Sequence, residues 1–335
     1  MGTRHNSLKF SLFAMMYMFV WGLSAWNTDN ADMENYVAYY TTNYNNLNIW
    51  DLADPGFKFI NKLFNVYGFT FETYHIIIYS VLMTYICHQI WKRSQRPNLI
   101  LFIYLFTAFI ADVIQLRNSL ALLFLLIGLF ALIDNNERYP KFKFFVFNLL
   151  ASSIHIAFVF YFVFLFINVK IRPRYFILGC ILLSILGHSI LGYFSTFTYI
   201  AENSFLNNRA ESYLEHSSYW SVMICSFQYL IHYFVCKRCV MKSGYNGINV
   251  NCFMQINVLI AMLIIMSSVN MTFFRLFRNI LLFSSIYLIN GYLYKKNKVD
   301  AIYLSLYFLF MSFFHFWWGD VLVNVGIIFS NNLIW

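Results

Sequence analysis

Charge is what this sequence has least of. Only 11% of its 335 residues are Asp, Glu, Lys or Arg, against about a quarter in a soluble domain. Four prolines and thirteen glycines exclude a collagen-like or disordered chain. Six cysteines do not make a disulfide framework. Cys87, Cys180, Cys225 and Cys252 lie in or beside apolar runs, and Cys236 and Cys239 form a lone CxxC with no second ligand pair. Reduced thiols are the reading, and no metal site is expected. There is no HExxH, no internal repeat and no low-complexity tract. What is abundant is apolar: 60% hydrophobic and 21% aromatic. Runs long enough to cross a bilayer as helices recur from end to end. The expectation is an all-α, polytopic integral membrane protein with about ten to twelve transmembrane helices, some short or re-entrant. It forms a single domain over residues 1–335.

The net charge of +9 does not point to nucleic acid. The basic residues fall in short groups between apolar runs: Arg4/Lys9, Lys92/Arg93/Arg96, Arg138/Lys141/Lys143, Lys170/Arg172/Arg174, Lys237/Arg238/Lys242 and Lys295/Lys296/Lys298. These hold 17 of the 23 Lys and Arg. A consistent alternation puts all of them on one side, the positive-inside pattern. The other side keeps Lys58, Lys62, Arg117, Arg209, Arg275, Arg278 and most of the acids. The run Phe10–Trp26 superficially resembles a signal peptide. No small-x-small cleavage site follows it, so a retained first helix is expected.

Along the chain, helix 1 (Leu8–Trp26) leads outward into a long polar loop, 27–73. Within that loop Phe57–Phe64 reads as a helix lying on the membrane surface and capped by Asp54. Helices follow at Tyr74–Trp91, Leu99–Val113 and Asn118–Ile133. The stretch Phe144–Asn168 has basic groups at both ends. Two short helices turning back near Ser152, Ser153 and His155 satisfy that charge pattern. One long helix that breaks the pattern is the alternative. Further helices are expected at Tyr175–Phe194, Tyr219–Cys236, Cys252–Asn270, about 279–294 and Asp300–Trp318. A second outer loop, 195–218, separates the first two. The tail Gly319–Trp335 either lies in the interface or crosses as a thin twelfth helix.

Arginine on the outer side opposes the topology rule and is costly to desolvate. Arg275 and Arg278, three residues apart, share a helix face. Arg117, with Gln115 beside it, opens an inward-running helix on the same side. Guanidinium groups hold phosphate oxygens in pairs and stay charged. Helix N-termini add positive potential. These residues therefore form a candidate cradle for a lipid-linked diphosphate, unless they snorkel to headgroups. His155, beside the proposed break, is the candidate proton-transfer group; a hydrogen-bonded core histidine is the plainer reading. Asp29, Asp32 and Glu34 follow helix 1. Their carboxylates suit sugar hydroxyls or a proton, or simply a solvated loop. Tyr36, Tyr39, Tyr40, Tyr44 and Trp50 suit sugar stacking or an interfacial aromatic belt.

At these residues the chain resembles the EpsG family of exopolysaccharide polymerases, relatives of the Wzy O-antigen polymerases. Asn27–Tyr36 followed by Asp54-Pro55-Gly56-Phe57 resembles the family's acidic-plus-tyrosine loop and its following element, where glutamate usually stands in place of Asp54. Gln115-Leu116-Arg117-Asn118-Ser119-Leu120-Ala121 resembles its Q-x-R-x-x-L-A. Ser152-Ser153-Ile154-His155 resembles its helix-breaking histidine, and Arg275 matches a later arginine. The resemblance implies a glycosyltransferase of the bacterial inner membrane working on the periplasmic face. It would join undecaprenyl-diphosphate-linked oligosaccharide units into O antigen or exopolysaccharide, without a cofactor. His155, Arg117, Arg275 and Asp32 would be catalytic. Arg117, Arg275, Arg278, Gln115, Asp29 and Asp54 would bind substrate. Membrane lipid and a chain-length regulator protein are the candidate partners. A lipid-linked oligosaccharide flippase or other polysaccharide transporter is the main rival, and a membrane acyltransferase a lesser one.

Overall fold

Lipid offers backbone N–H and C=O groups no partners, so a spanning chain must pair them within itself. The computed structural model describes residues 2–41, 54–169, 219–268, 271–317 and 320–332, with the single positions 179 and 182. Among them are helices and turns but no strand; one isolated bridge pairs Asn27 with Asn332. Among the described residues, four helical stretches are long and apolar enough to cross a bilayer: Ser7–Ala25, Pro97–Ile114, Leu116–Ile133 and Lys298–Trp317. The protein is an all-α polytopic membrane protein. The expected helix Tyr175–Phe194, the loop 195–218 with Arg209, the group Lys170/Arg172/Arg174, and Tyr44 and Trp50 lie outside the described residues.

Helix α1 (Gly2–Ala25) packs antiparallel on α4 (Phe71–Arg93). Phe13 meets Trp91 at 5.0 Å, Tyr17 bonds Thr84 at 2.9 Å and Trp21 Nε1 donates to Ser80 at 2.8 Å. Between them the expected loop contains α2 (Met33–Thr41) and α3 (Pro55–Val66). The helix α2 was not foreseen. The helix α3 is inside out. Its buried side carries Lys58 and Asn61 beside Phe57, while Phe59, Leu63 and Val66 are exposed. A helix of that polarity gains from lying against lipid rather than water, as the surface-helix reading requires.

The next crossing runs from α5 (Pro97–Tyr104) through a π-helical segment, Leu105–Phe109, into α6 (Ile110–Ile114). The chain breaks at Gln115 and descends as α7 (Leu116–Ile133). Helix α8 (Pro140–Ile154) packs along α7, where a Cβ on Gly128 would stand 2.9 Å from the Phe144 ring. A glycine there lets the two helices approach closely.

After α8 the chain reverses. His155 is extended (φ −146°, ψ 113°), and a 3-10 helix, Ile156–Phe166, runs back alongside α8. Phe144 faces Phe164 at 6.1 Å, Phe145 faces Phe162 at 5.6 Å, and Asn148 Nδ2 donates to the Phe158 carbonyl at 3.2 Å. This is the hairpin expected at His155, with the second arm 3-10 rather than α. At 1.5 Å per residue its first arm is about 22 Å long, short of a hydrocarbon core of about 30 Å.

Beyond residue 218 come α9 (Tyr219–Cys236), α10 (Val250–Ile264), the short α11 (Arg275–Arg278), α12 (Leu281–Lys295) and α13 (Lys298–Ser312), which continues as a π-helical segment to Trp317. The tail contains α14 (Asp320–Ser330). It does not cross. Asn332 Nδ2 donates to the carbonyls of Gly22 and Leu23, and Thr28 N–H to that of Asn331. These bonds fasten the tail beside the Ala25 end of α1, and eleven residues make only about 16 Å of helix.

Candidate active site

The site begins with a helix that starts in the wrong electrostatic sense. Gln115 leaves helical geometry (φ −99°, ψ 68°), and Leu116 opens α7 with no acid in its first turn. Arg117 therefore adds a full positive charge to the positive end of a helix dipole. Asp54 answers it from the loop. Its Oδ2 lies 2.7 Å from Arg117 Nη1, and its side chain is only 4% exposed. The guanidinium also covers the rings of Tyr39 (5.3 Å) and Phe57 (5.9 Å). Its backbone N–H points at the Tyr36 hydroxyl, 3.5 Å away.

The expectation that Asp54 caps α3 is overturned. Asp54 precedes Pro55 but makes no side-chain cap, and its backbone is left-handed (φ 64°, ψ 57°). That turn aims the carboxylate away from α3 and into the protein. Oδ1 accepts the Ile156 N–H at 2.7 Å, satisfying a donor freed where the hairpin breaks. It also lies 3.7 Å from His155 Nδ1. Gly56 completes the docking, because a Cβ there would fall against Ser153 Oγ and within 3.0 Å of the Ser153 carbonyl. Burial opposes the Asp54 carboxylate. The His155 ring, the Arg117 guanidinium and the Ile156 N–H outweigh that and hold its pKa below the ordinary value. Both oxygens of Asp54, the carboxylate expected to bind substrate, thus have protein partners.

His155 connects this group to the second arginine. Arg275 Nη1 sits 3.3 Å from His155 Nε2. A guanidinium only donates, so Nε2 accepts and the ring proton belongs on Nδ1, facing Asp54. One line of contacts thus runs Arg117–Asp54–His155–Arg275. The elements that carry it are fixed elsewhere. Tyr161 of the 3-10 helix donates to the Leu276 carbonyl at 2.8 Å. Asn118 and Asn279 exchange two amide bonds of 3.0 and 3.1 Å, tying α7 to the segment after Arg278.

Arg278 and Gln115 also meet, Nη2 to Oε1 at 2.6 Å. Beneath them Asp112 is buried and accepts the Tyr104 hydroxyl at 2.8 Å. Three buried donors of this group end without a hydrogen-bond partner among the described residues: Arg117 Nε, Arg278 Nε and His155 Nδ1. Unsatisfied buried donors are costly, those of a guanidinium most of all, and phosphate oxygens are acceptors that suit them.

The structure therefore gathers Arg117, Arg275, Arg278, Gln115, His155 and Asp54 from four separate stretches of chain. It does not bring Asp29 to them. That carboxylate accepts from Asn331 Nδ2 at 3.2 Å, in the clasp between loop and tail. Asp32 stands just before α2, where its carbonyl receives the Tyr36 N–H (3.1 Å), and the Tyr36 hydroxyl in turn faces the Arg117 N–H (3.5 Å). Tyr36 and Tyr40 are core residues rather than sugar platforms. Tyr40 stacks on Tyr74 at 5.0 Å and donates to the Phe69 carbonyl at 2.6 Å.

Sequence reasoning missed Lys58 and Asn61. Lys58 is buried one turn after Asp54, and burial pulls its pKa down to about 8; nearby Asp54 opposes that fall and Arg117 adds to it. Asn61 is buried with both amide atoms unpaired among the described residues. Asp54, Lys58 and Asn61 recur at helical spacing, and that polar stripe was the available signal.

Such a chain is a polytopic membrane protein with a cationic, histidine-containing site at one end of its helical bundle. A family model described as the EpsG family matches residues 10–328. The chain belongs to the EpsG family. Membership carries, at that general level, a polysaccharide polymerase-type role, that of a polymerase-like glycosyltransferase. No curated protein and no solved structure matches the chain.

Proposed function

We propose that the protein joins undecaprenyl-diphosphate-linked oligosaccharide units into O antigen or exopolysaccharide on the periplasmic face of the bacterial inner membrane. The observation that carries this reading is the line Arg117–Asp54–His155–Arg275, with Arg278 and Gln115 beside it.

A hydroxyl oxygen of one unit attacks the anomeric carbon of another. The new glycosidic C–O bond forms as the bond from the anomeric carbon to the diphosphate breaks. The diphosphate leaves with the electron pair, and the hydroxyl loses its proton. Negative charge grows on the leaving group, so guanidinium groups fixed beforehand favour the transition state over the ground state. Arg117 and Arg275 bind the diphosphate, and Arg278 supports them. Once Arg275 turns to phosphate, His155 Nε2 is released to take the hydroxyl proton. Asp54 stabilises the imidazolium so formed. Asp54 is thus a positioning residue, and Asp32 a weaker candidate for contact with sugar.

The test is purified protein in proteoliposomes, given the lipid-linked unit without added metal or nucleotide. The expected result is a ladder of lengthened oligosaccharides with release of undecaprenyl diphosphate. Movement of intact units across the bilayer with no lengthening would instead support the transporter reading and overturn this one.

A further inference from the structure

A second feature lies at the opposite end of the bundle. His75 Nδ1 meets the Ala25 carbonyl at 3.2 Å, and Tyr79, one turn on, donates to the Asp112 and Val113 carbonyls. The arginine site therefore stands level with Ala25. Lys9 is about 24 Å down the same helix, at about 1.5 Å per residue. Around it opens a groove of about 850 Å³ between α1, α5, α12 and α13.

The groove is apolar along its walls and cationic at one rim. Leu12, Phe102, Phe106, Leu304 and Leu309 line it. Lys9, Arg96 and Asn98 stand together at the rim. Asn98 Nδ2 donates to the Lys9 carbonyl at 3.3 Å, and Lys9 Nζ reaches the Gln95 carbonyl at only 3.4 Å. The nearby Asp300 carboxylate is taken by Arg238, 2.5 Å away. Neither Lys9 nor Arg96 forms an ion pair with any described acid. From Pro97 to Phe106 the wall extends about 14 Å, and a bilayer leaflet offers about 15 Å of hydrocarbon.

The geometry points to a binding site for one anionic phospholipid, its phosphate on Lys9 and Arg96 and an acyl chain along the groove. Leaflet length favours an acyl chain over a long isoprenoid, and two rim cations with no carboxylate partner among the described residues favour a negative headgroup, although Lys9 Nζ also lies 5.6 Å from the Trp91 ring. This site is independent of the glycosyl-transfer reading.

Native mass spectrometry of the full chain, released from nanodiscs of equal phosphatidylglycerol and phosphatidylcholine, tests it. The wild type is expected to retain one phosphatidylglycerol over phosphatidylcholine by about tenfold, a difference of about 1.4 kcal/mol. The double variant Lys9→Gln/Arg96→Gln is expected to lose that preference. Changing basic residues near a helix end also risks reorienting the chain. Ser305→Trp fills the groove with every charge in place, and it too is expected to shed the lipid. Equal retention of the two lipids, or wild-type retention in Ser305→Trp, overturns the proposal. So does displacement of the lipid by millimolar inorganic phosphate, or preferential retention of undecaprenyl phosphate when it is supplied.

Discussion

Asp54 and Arg117, 63 residues apart in sequence, meet through a 2.7 Å ion pair, and the same carboxylate accepts the Ile156 N–H from a third stretch of chain. One acidic side chain therefore joins the loop after helix 1, the start of α7 and the tip of the hairpin. The hairpin's first arm is shorter than the hydrocarbon core, so the loop must dip to meet it. A left-handed Asp54 and a Gly56 without a side chain make that dip possible. Glutamate, the residue expected here from the family resemblance, would carry the same charge one methylene further.

Removing the carboxylate should unseat the hairpin. Asp54→Ala strips a buried pair of its anion and leaves Arg117 uncompensated, a change that costs about 3–5 kcal/mol in comparable cases. Asp54→Asn keeps an acceptor for Ile156 and should cost less. Thermal unfolding in detergent measures both. Because the native carboxyl titrates below its ordinary value, its contribution is complete above the unfolded pKa and fades as pH falls through the native one. Asp54→Asn should therefore flatten the acid limb of stability against pH; an unchanged limb would show that another group sets it.

Guanidinium chemistry, beyond positive charge, is expected at position 275. Arg275→Lys should abolish chain extension at normal protein levels, and Arg117→Ala should do the same. Losing one donor to developing negative charge costs about 10²–10³ in rate. Arg278→Lys should be milder, since Gln115 shares that position. Polymer ladders from membranes carrying each variant decide the matter. Wild-type lengths in both Arg117→Ala and Arg275→Lys would refute the assignment.

Lys58 should give the protein an alkaline dependence. With its pKa near 8 the ammonium is charged at neutrality and neutral by pH 9. If that charge helps hold the diphosphate, KM for the lipid-linked unit rises above pH 8, and Lys58→Arg removes the rise. Stability moves the other way. A lysine whose native pKa is depressed is penalised below that value, and the penalty is relieved as pH climbs towards the unfolded pKa. Lys58→Met should thus raise the unfolding temperature at pH 7 while weakening substrate affinity.

The Asn118–Asn279 pair is expected to be worth more together than apart. Each amide satisfies the other inside the protein, so single alanine substitutions leave one buried amide unpaired and cost about 1–3 kcal/mol each. The double variant should cost less than the two added. Additive losses would mean that the pair does not couple α7 to the Arg275–Arg278 segment.

Much of the scaffold was legible. The ends of α7 at Ile133 and α9 at Cys236 follow from apolar runs meeting polar or basic stops. The reversal at His155 follows from basic groups on both flanks of one apolar stretch. Three arginines were identified because topology disfavours them on that side. What stayed hidden depends on distant contacts. Nothing local in Asp54-Pro55-Gly56 says that the carboxylate will forsake its own helix for Arg117 and Ile156. The π-helical segment at Leu105–Phe109 leaves the apolar pattern intact. Helix α2 lies in polar, tyrosine-rich sequence, and it folds because Tyr36 and Tyr40 find core partners elsewhere. Asp29 looked like Asp32 until the tail arrived beside it.

That tail sets an order of events during synthesis. Asn27 and Asn331, hydrogen-bonded in the finished protein, are 304 residues apart. A ribosome adding about 5–20 residues per second needs some tens of seconds to make that stretch. Throughout that interval the first helix and its loop wait in the bilayer without their clasp. The polar segment that feeds the arginine site is thus secured only after residues 331 and 332 have been made, and a nascent chain stalled before α14 should present it to proteases.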